Sequence, residues 1–203
     1  MIVDLSGEQP NPPPPTMRKG RDGKPIAAGK ARIIGGKAAT RTPTGVTIHQ
    51  TDCYFGAKDD AARHRRALGV HAHWTCFRDG VAVLAYPLDW HVYHGHGFNS
   101  SDVGIEIEGR YRGADGAIFE PPAGFDVGKV IQAAREAVQA TVQRHPTVRL
   151  VHAHRQSSRS RANDPGRLLW HEVGLWAVRE LGLVAEPDRA LGDGQPLPGD
   201  WRA

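Results

Sequence analysis

The chain contains little cysteine and no long apolar run, and both features restrict the class of protein to which it can belong. Cys53 and Cys76 are the two cysteines among 203 residues, which is too few for a disulfide framework and lacks zinc-finger spacing. We interpret both as small, partly buried apolar residues. No apolar run approaches the ~20 residues that a membrane-spanning helix requires. We therefore expect neither a disulfide-stabilised scaffold nor insertion into a membrane.

The beginning of the chain, MIVDLSGEQPNPPPP, also lacks the pattern of a secretory signal, a basic stretch followed by an apolar one. We expect synthesis in the cytoplasm without a Sec signal peptide. A target outside the cytoplasm, such as the bacterial cell wall, would then be reached after lysis or by non-Sec export.

Composition and charge suit a soluble globular protein. Charged residues make up 24% and hydrophobic residues 39% of the chain. The net charge of +4 favours anionic surroundings such as nucleic acid, a membrane surface or a bacterial wall. The arginine-rich stretches 63–66 and 155–161 lack interleaved aromatic residues on which bases could stack. We therefore expect no nucleic-acid partner.

The pattern along the chain predicts one domain between two poorly ordered ends. Residues 1–30 are rich in proline, glycine and basic residues without apolar periodicity, which is typical of a flexible arm. The periodic segments lie within 31–185. Residues 186–203 are rich in glycine and proline and are interpreted as a loosely ordered tail.

Alternating and helical periodicities predict both strands and helices in this domain. In 45–50, Val46 and Ile48 would face the core and His49 the opposite side, displayed rather than buried. The other predicted strands are 71–77 and 81–86, joined as a hairpin by an Asp-Gly turn, then 102–109 and 148–151. The predicted helices are 58–68, 127–142 and 167–181, with a loop at 110–124.

Two histidines and an aspartate form a plausible metal site. His154 precedes the Asp164-Pro165-Gly166 turn by ten residues, and His49 lies near the end of an apolar strand far upstream. Imidazole nitrogens and carboxylate oxygens are ordinary zinc ligands, and three of them leave a fourth position for water or substrate. His152 would share a strand face with His154 and is its nearest rival.

Several motifs together resemble the type 2 N-acetylmuramoyl-L-alanine amidases, zinc enzymes related to phage amidase-lysozymes and to peptidoglycan recognition proteins. Each motif alone is weak, but their joint order and spacing are specific, and the resemblance covers about residues 31 to 182. In chain order the motifs are Val46-Thr47-Ile48-His49-Gln50-Thr51, Phe77-Arg78-Asp79-Gly80, Pro87-Leu88-Asp89, His94, Asn99, Val103-Gly104-Ile105-Glu106, and His154 with Asp164-Pro165-Gly166.

The resemblance implies an α/β fold with a mixed central β-sheet flanked by helices. It implies that one Zn²⁺ ion is bound by the residues matching the family ligands, His49, His154 and Asp164. It also implies hydrolysis of the amide that joins the lactyl group of N-acetylmuramic acid to L-alanine, with peptidoglycan or a muropeptide as substrate. Zinc would polarise the lactyl carbonyl and activate a water molecule.

The resemblance also assigns further site residues. Glu106 matches the family's catalytic glutamate, which takes a proton from water and returns it to the leaving nitrogen. Glu108 lies on the same predicted strand face, where alternation alone does not separate the two, and is interpreted as a solvated residue. His94 matches a position lining the substrate groove. Asn99 is a similar candidate, although a turn residue is an equally good interpretation.

Two positions depart from the family pattern. Many relatives carry a lysine two residues before the aspartate ligand, where it stabilises an oxyanion, and this chain has Ala162 there. Arg161 is the candidate replacement. The phage branch uses a tyrosine on the first hairpin strand, whose counterpart is Ala72. The histidines at 71, 73, 91 and 96 are weaker metal candidates than the His49, His154 and Asp164 set.

Three functions therefore remain open from the sequence. The first is a wall-lytic amidase, such as an endolysin or an antibacterial effector, which suits the basic charge. The second is a cytosolic amidase that recycles soluble muropeptides. The third is a non-catalytic muropeptide-binding protein, which Ala162 allows although all three candidate ligands are present.

Overall fold

The computed structural model describes residues 1–14, 16–19, 25–111 and 118–202. Its centre is a mixed seven-stranded sheet, and two antiparallel two-stranded sheets lie outside it. In chain order the strands are β1 Ile2–Asp4, β2 Thr16–Lys19, β3 Pro25–Ala28, β4 Ile33–Ile34, β5 Lys37–Ala38, β6 Gly45–Gln50, β7 Trp74–Cys76, β8 Ala82–Leu84, β9 Asp102–Ile107, β10 Leu150–Ala153 and β11 Val184–Ala185.

The order of strands in the central sheet is β1-β8-β7-β9-β6-β10-β11. The hairpin strands β7 and β8 are antiparallel, whereas the other neighbouring pairs are parallel. The predicted mixed sheet is therefore confirmed. Because β9, β6 and β10 run in the same direction, the residues at their carboxyl ends meet at one edge of the sheet.

Helices begin and end where the sequence provides caps. They are α1 Asp60–His64, α2 Val127–Arg144, α3 Arg167–Leu169, a π-helical segment Trp170–Leu175 and α4 Trp176–Leu181. Asp59 accepts from Ala62 N and Asp126 accepts from Lys129 N, whereas Gly182 stops α4 in the left-handed region. No helix in the described ranges is long and apolar enough to cross a membrane. The predicted loop 110–124 lies partly outside the described residues.

The two faces of the sheet have different roles. Val46 and Ile48 belong to the apolar cluster that includes the buried side of α2, and Trp74 Nε1 donates to Thr141 Oγ1 of that helix at 2.9 Å. His49 points to the other face as predicted, but it is fully buried, so the expectation of a displayed residue was wrong. His94, which precedes the 3-10 turn His96–Ser100, and His154, which begins the turn His154–Ser157, cover it, as their ring contacts with His49 show.

Both ends of the chain are more ordered than the sequence suggested. Ile2–Asp4 pairs with β8 as an edge strand, although residues 1–30 had the composition of a flexible arm. In the segment predicted as a loose tail, Trp201 is buried and its carbonyl accepts from Trp170 Nε1 at 2.8 Å. These short segments lack periodicity, so their packing partners become evident only in the tertiary structure.

A buried polar network joins three strands beneath the candidate site. The Asp102 carboxylate on β9 accepts hydrogen bonds from Thr47 Oγ1 on β6 at 2.8 Å and from His152 Nδ1 on β10 at 2.7 Å. Ser101 Oγ donates to the same carboxylate at 2.7 Å. His152 also stacks on Phe98. His152 is therefore committed to Asp102 and is not part of the candidate metal cluster.

We expect Asp102→Asn to destabilise the protein by about 3 kcal/mol, because it leaves buried donors poorly matched. Thr47→Val, which removes one donor, should lower the free energy of unfolding by about 1 kcal/mol.

The stabilisation by Asp102 should depend on pH. Burial raises the pKa of Asp102, but hydrogen bonds from His152, Ser101 and Thr47 outweigh burial and bring the pKa below its ordinary value. The stabilisation is therefore present at neutral pH and lost as the pH falls through the native pKa. In urea unfolding, the difference in the free energy of unfolding between wild type and Asp102→Asn should become smaller in acid. A difference that does not change with pH would contradict this assignment.

Candidate active site

The structure brings the three candidate ligands together at the carboxyl edge of the sheet. His49 lies near the end of β6, His154 directly follows β10, and Asp164 returns to them after two 3-10 turns. The Nδ1 atoms of His49 and His154 are 2.9 Å apart, and His154 Nδ1 is 2.8 Å from Asp164 Oδ2. All three residues are buried, and their potential ligand atoms lie within 4.8 Å of one another.

This donor set fits a metal ion. Ligand atoms that share one ion at about 2.0–2.1 Å lie roughly 3 Å from one another, which is close to the two separations that His154 Nδ1 makes. Asp164 is oriented by its other carboxylate oxygen, Oδ1, which accepts from Gln50 N at 2.9 Å. Burial lowers the pKa of His49 well below its ordinary value, and the adjacent His154 adds to the shift. A neutral imidazole is the form that a metal ligand requires.

Glu106 lies beside this cluster. Its Cα pairs with that of His49 across β9 and β6, and its Oε1 is 4.0 Å from His49 Nδ1. The second oxygen, Oε2, is buried and has no hydrogen-bond partner among the described residues. Burial raises the pKa of Glu106 well above its ordinary value and Asp164 raises it further, while Arg161 opposes both. This carboxylate oxygen therefore has no structural role as a hydrogen-bond acceptor among the described residues.

Glu108 has a different environment from the one predicted. β9 ends at Ile107, and the Glu108 side chain is fully buried rather than solvated. Its carboxylate accepts from Phe55 N at 2.8 Å and from Arg78 N at 2.9 Å. Glu108 therefore holds two loops together, and Glu106 is the glutamate that adjoins the candidate ligands.

A family model described as N-acetylmuramoyl-L-alanine amidase matches residues 39–167 of the chain, a span that contains His49, Glu106, His154 and Asp164. The chain belongs to the N-acetylmuramoyl-L-alanine amidase family. No curated protein matches it.

Solved structures share the fold of this amidase at low sequence identity. The Ph2119 endolysin from the Thermus scotoductus MAT2119 bacteriophage Ph2119 is 19% identical, with a TM-score of 0.52 over 86% of this chain and 97% of that chain. Drosophila PGRP-LB is 17% identical, with a TM-score of 0.54 over 87% and 94% of the two chains. Pseudomonas aeruginosa AmpDh3, in complex with anhydromuramic pentapeptide, is 20% identical, with a TM-score of 0.50 over 75% and 64%.

A cleft of about 440 Å³ opens over two of the candidate ligands of the amidase, His154 and Asp164. The predicted substrate contacts His94, Asn99 and Arg161 all line it. His94 is mostly buried, and Asn99 Oδ1 accepts from Gly95 N at 2.6 Å, so the turn interpretation of Asn99 also holds. The lining residues are His71, Tyr93, His94, His96, Asn99, Glu106, His154, Arg161 and Asp164.

Arg161 links this cleft to a second hollow. The hollow has a volume of about 250 Å³ and includes Asp52, Asn163 and Asp164. Arg161 itself is exposed, and its positive charge lowers the pKa values of Glu106 and His49. Ala162 lines only the second hollow. Arg161, and not the uncharged Ala162, therefore brings a positive charge to the candidate active site.

Two residues that line the cleft of the amidase, Tyr93 and His96, were not singled out from the sequence as site residues. Tyr93 lines the cleft and is 42% exposed, whereas Ala72, which the resemblance matched to the tyrosine of the phage branch, is buried. His96 Nδ1 lies 3.2 Å from His154 Nε2, and its spacing of two residues from His94 was the available signal. His73 is occupied elsewhere, since its Nδ1 accepts from Gly104 N and its Nε2 donates to the Trp90 carbonyl.

Proposed function

We propose that the protein is a zinc-dependent N-acetylmuramoyl-L-alanine amidase that acts on intact peptidoglycan, as an endolysin or an antibacterial effector does. The observation that carries this proposal is the buried, unpartnered Oε2 of Glu106 beside a complete set of three candidate ligands. A binding protein without activity would have no need for such a carboxylate, which is costly to bury without a partner.

His49, His154 and Asp164 would hold one Zn²⁺ ion. The ion, when bound, would polarise the lactyl carbonyl and lower the pKa of a water molecule. The chain supports this through two features of its own. Gln50 N fixes the Asp164 carboxylate, and burial keeps His49 neutral.

Glu106 would be the general base and then the general acid. Its carboxylate would take the proton of the attacking water and deliver it to the alanine nitrogen as the amide bond breaks. Burial and the adjacent Asp164 raise its pKa, and a raised pKa suits a group that must both accept and release a proton near neutral pH. The carboxylate lies beside the ligand atoms but is outside the three-member cluster.

Arg161 would replace the family lysine. A guanidinium is always charged and donates from a planar fork, and this one lies at the junction of the two hollows. It would stabilise the negative charge that develops on the lactyl oxygen. His94 and Asn99, which line the same cleft, would limit the position of the muramyl group and the stem peptide.

The test is to incubate the zinc-loaded protein with purified sacculi and, separately, with a soluble muramyl peptide. We expect stem peptides with a free L-alanine amino terminus, identified by mass spectrometry, from both substrates, and no products after chelation. Cleavage of the soluble substrate alone would indicate an amidase that recycles muropeptides and would contradict the lytic role. Binding of the muramyl peptide without cleavage, with zinc retained, would replace the enzyme by a binding protein.

A further inference from the structure

Both candidate ligand histidines have their outer ring nitrogen against another histidine, and both partners come from the segment His94-Gly95-His96. His49 Nε2 is 3.1 Å from His94 Nδ1. His154 Nε2 is 3.2 Å from His96 Nδ1. Outer nitrogens of metal-bound histidines are usually held by a carboxylate, a carbonyl or water, and that partner fixes which ring nitrogen faces the metal.

The first pair has one consistent arrangement of protons. His94 Nε2 is 2.8 Å from the Asp102 carbonyl, which only accepts, so His94 carries its proton on Nε2. His94 Nδ1 must then accept, and His49 Nε2 donates to it. His49 therefore has a lone pair on Nδ1, the atom that faces His154 and Asp164.

The second pair has two arrangements, and metal binding selects between them. Without an ion, His154 Nδ1 donates to Asp164 Oδ2, and its Nε2 accepts from His96 Nδ1. With an ion, His154 Nδ1 must carry a lone pair, so Nε2 is protonated and donates to His96 Nδ1. His96 then carries its own proton on Nε2. Because His96 lines the cleft, this proton becomes available there.

The backbone is shaped for these contacts. His96 has a φ of 50°, a left-handed conformation that side-chain-bearing residues rarely adopt and that is often retained at functional sites. Gly104 makes room for the first pair, because a Cβ there would lie 2.5 Å from the His94 ring. His94 and His96 are thus within hydrogen-bonding distance of the candidate ligands His49 and His154.

We propose that His96 is a positioning residue that holds His154 in the tautomer presenting Nδ1 to the metal, and that it thereby presents its own Nε2–H to the cleft as a hydrogen-bond donor for a substrate carbonyl. This inference rests on the proposed zinc site and adds a link between that site and the substrate. His94 has the corresponding positioning role for His49, but it is buried and does not offer a free proton.

Three variants test the role of His96 through zinc affinity, measured by competition with a chromophoric chelator. His96→Gly removes the ring and relaxes the positive φ, so misfolding is not expected. It should weaken zinc binding by about 10- to 100-fold. His96→Asn tolerates the same φ and offers an amide oxygen to His154 Nε2, so it should remain within a few-fold of wild type. His91→Ala, which removes a nearby histidine outside this segment and outside the candidate ligand cluster, is the control and should bind like wild type.

The proton positions are tested directly by long-range ¹H–¹⁵N NMR of the histidine rings during zinc titration. We expect His49 and His154 to be protonated on Nε2 in the zinc-loaded protein, with His96 also protonated on Nε2. A His96 proton on Nδ1 in the loaded protein, or wild-type zinc affinity in His96→Gly, would overturn the proposal while leaving the amidase intact. A wild-type protein that binds no zinc would instead refute the proposed zinc site itself, and this inference with it.

Discussion

Glu106→Gln is expected to bind zinc as tightly as wild type and to hydrolyse the lactyl amide about 10²- to 10⁴-fold more slowly. Glutamine keeps the size of the side chain but cannot accept the water proton. The native carboxylate lies outside the ligand cluster, with Oε1 4.0 Å from His49 Nδ1, so the ion should remain. Metal content by mass spectrometry and the rate of stem-peptide release check the two halves of this expectation.

Glu108→Gln is the matched control for this prediction. Its native carboxylate accepts from two backbone amides, Phe55 N and Arg78 N, away from the ligands. Replacing one of these oxygens by an amide group should lower thermal stability while the folded protein keeps its rate within a few-fold. Wild-type activity in Glu106→Gln would refute the assignment of Glu106 as the general base.

His154→Ala is expected to lose zinc and activity together. A bound metal contributes several kcal/mol of transition-state stabilisation, so its loss should slow hydrolysis by about a thousandfold or more. His154 Nδ1 lies within 3 Å of both other candidate ligand atoms, so its removal takes away the central member of the cluster. Equilibrium dialysis against zinc, with rates measured at the same zinc concentrations, gives both quantities.

Asp164→Ala should behave in the same way but also destabilise the fold, because Gln50 N loses its acceptor. Asp164→Asn separates the two effects, since an amide oxygen keeps this hydrogen bond while the charged ligand is lost. Zinc should raise the melting temperature of wild type but not of either variant. His152→Gln is the control for the rival histidine and should retain zinc despite lower stability. Zinc binding unchanged in His154→Ala, or lost in His152→Gln, would mean that the ligand set is wrong.

The sequence was most informative where local pattern and chemistry agree. Alternation predicted the β6 strand and placed His49 opposite Val46 and Ile48, because side chains on a strand alternate between faces whatever the surroundings. Capping residues predicted α2 at Asp126, since the cap is a local hydrogen bond. The motifs of the amidase family identified the candidate ligands before any distance was known.

The sequence was least informative where a distant segment decides the environment. Alternation placed Glu106 and Glu108 on one face, but β9 ends at Ile107 and loops from residues 55 and 78 enclose Glu108. His49 was expected at the surface and is buried, because residues 94–95 and the turn beginning at residue 154 cover it.

The sequence by itself determined the strand faces and the helix caps, because periodicity and capping are properties of neighbouring residues. The order of its motifs indicated the fold class and the candidate ligands through their resemblance to the amidase family. The tertiary structure alone decided which carboxylate has an unpartnered buried oxygen, which histidine lies against each candidate ligand, and that Trp201 near the chain end accepts a hydrogen bond from Trp170. Each of these depends on contacts between segments far apart in the chain. The segment that packs against a residue determines its burial and its hydrogen-bond partners.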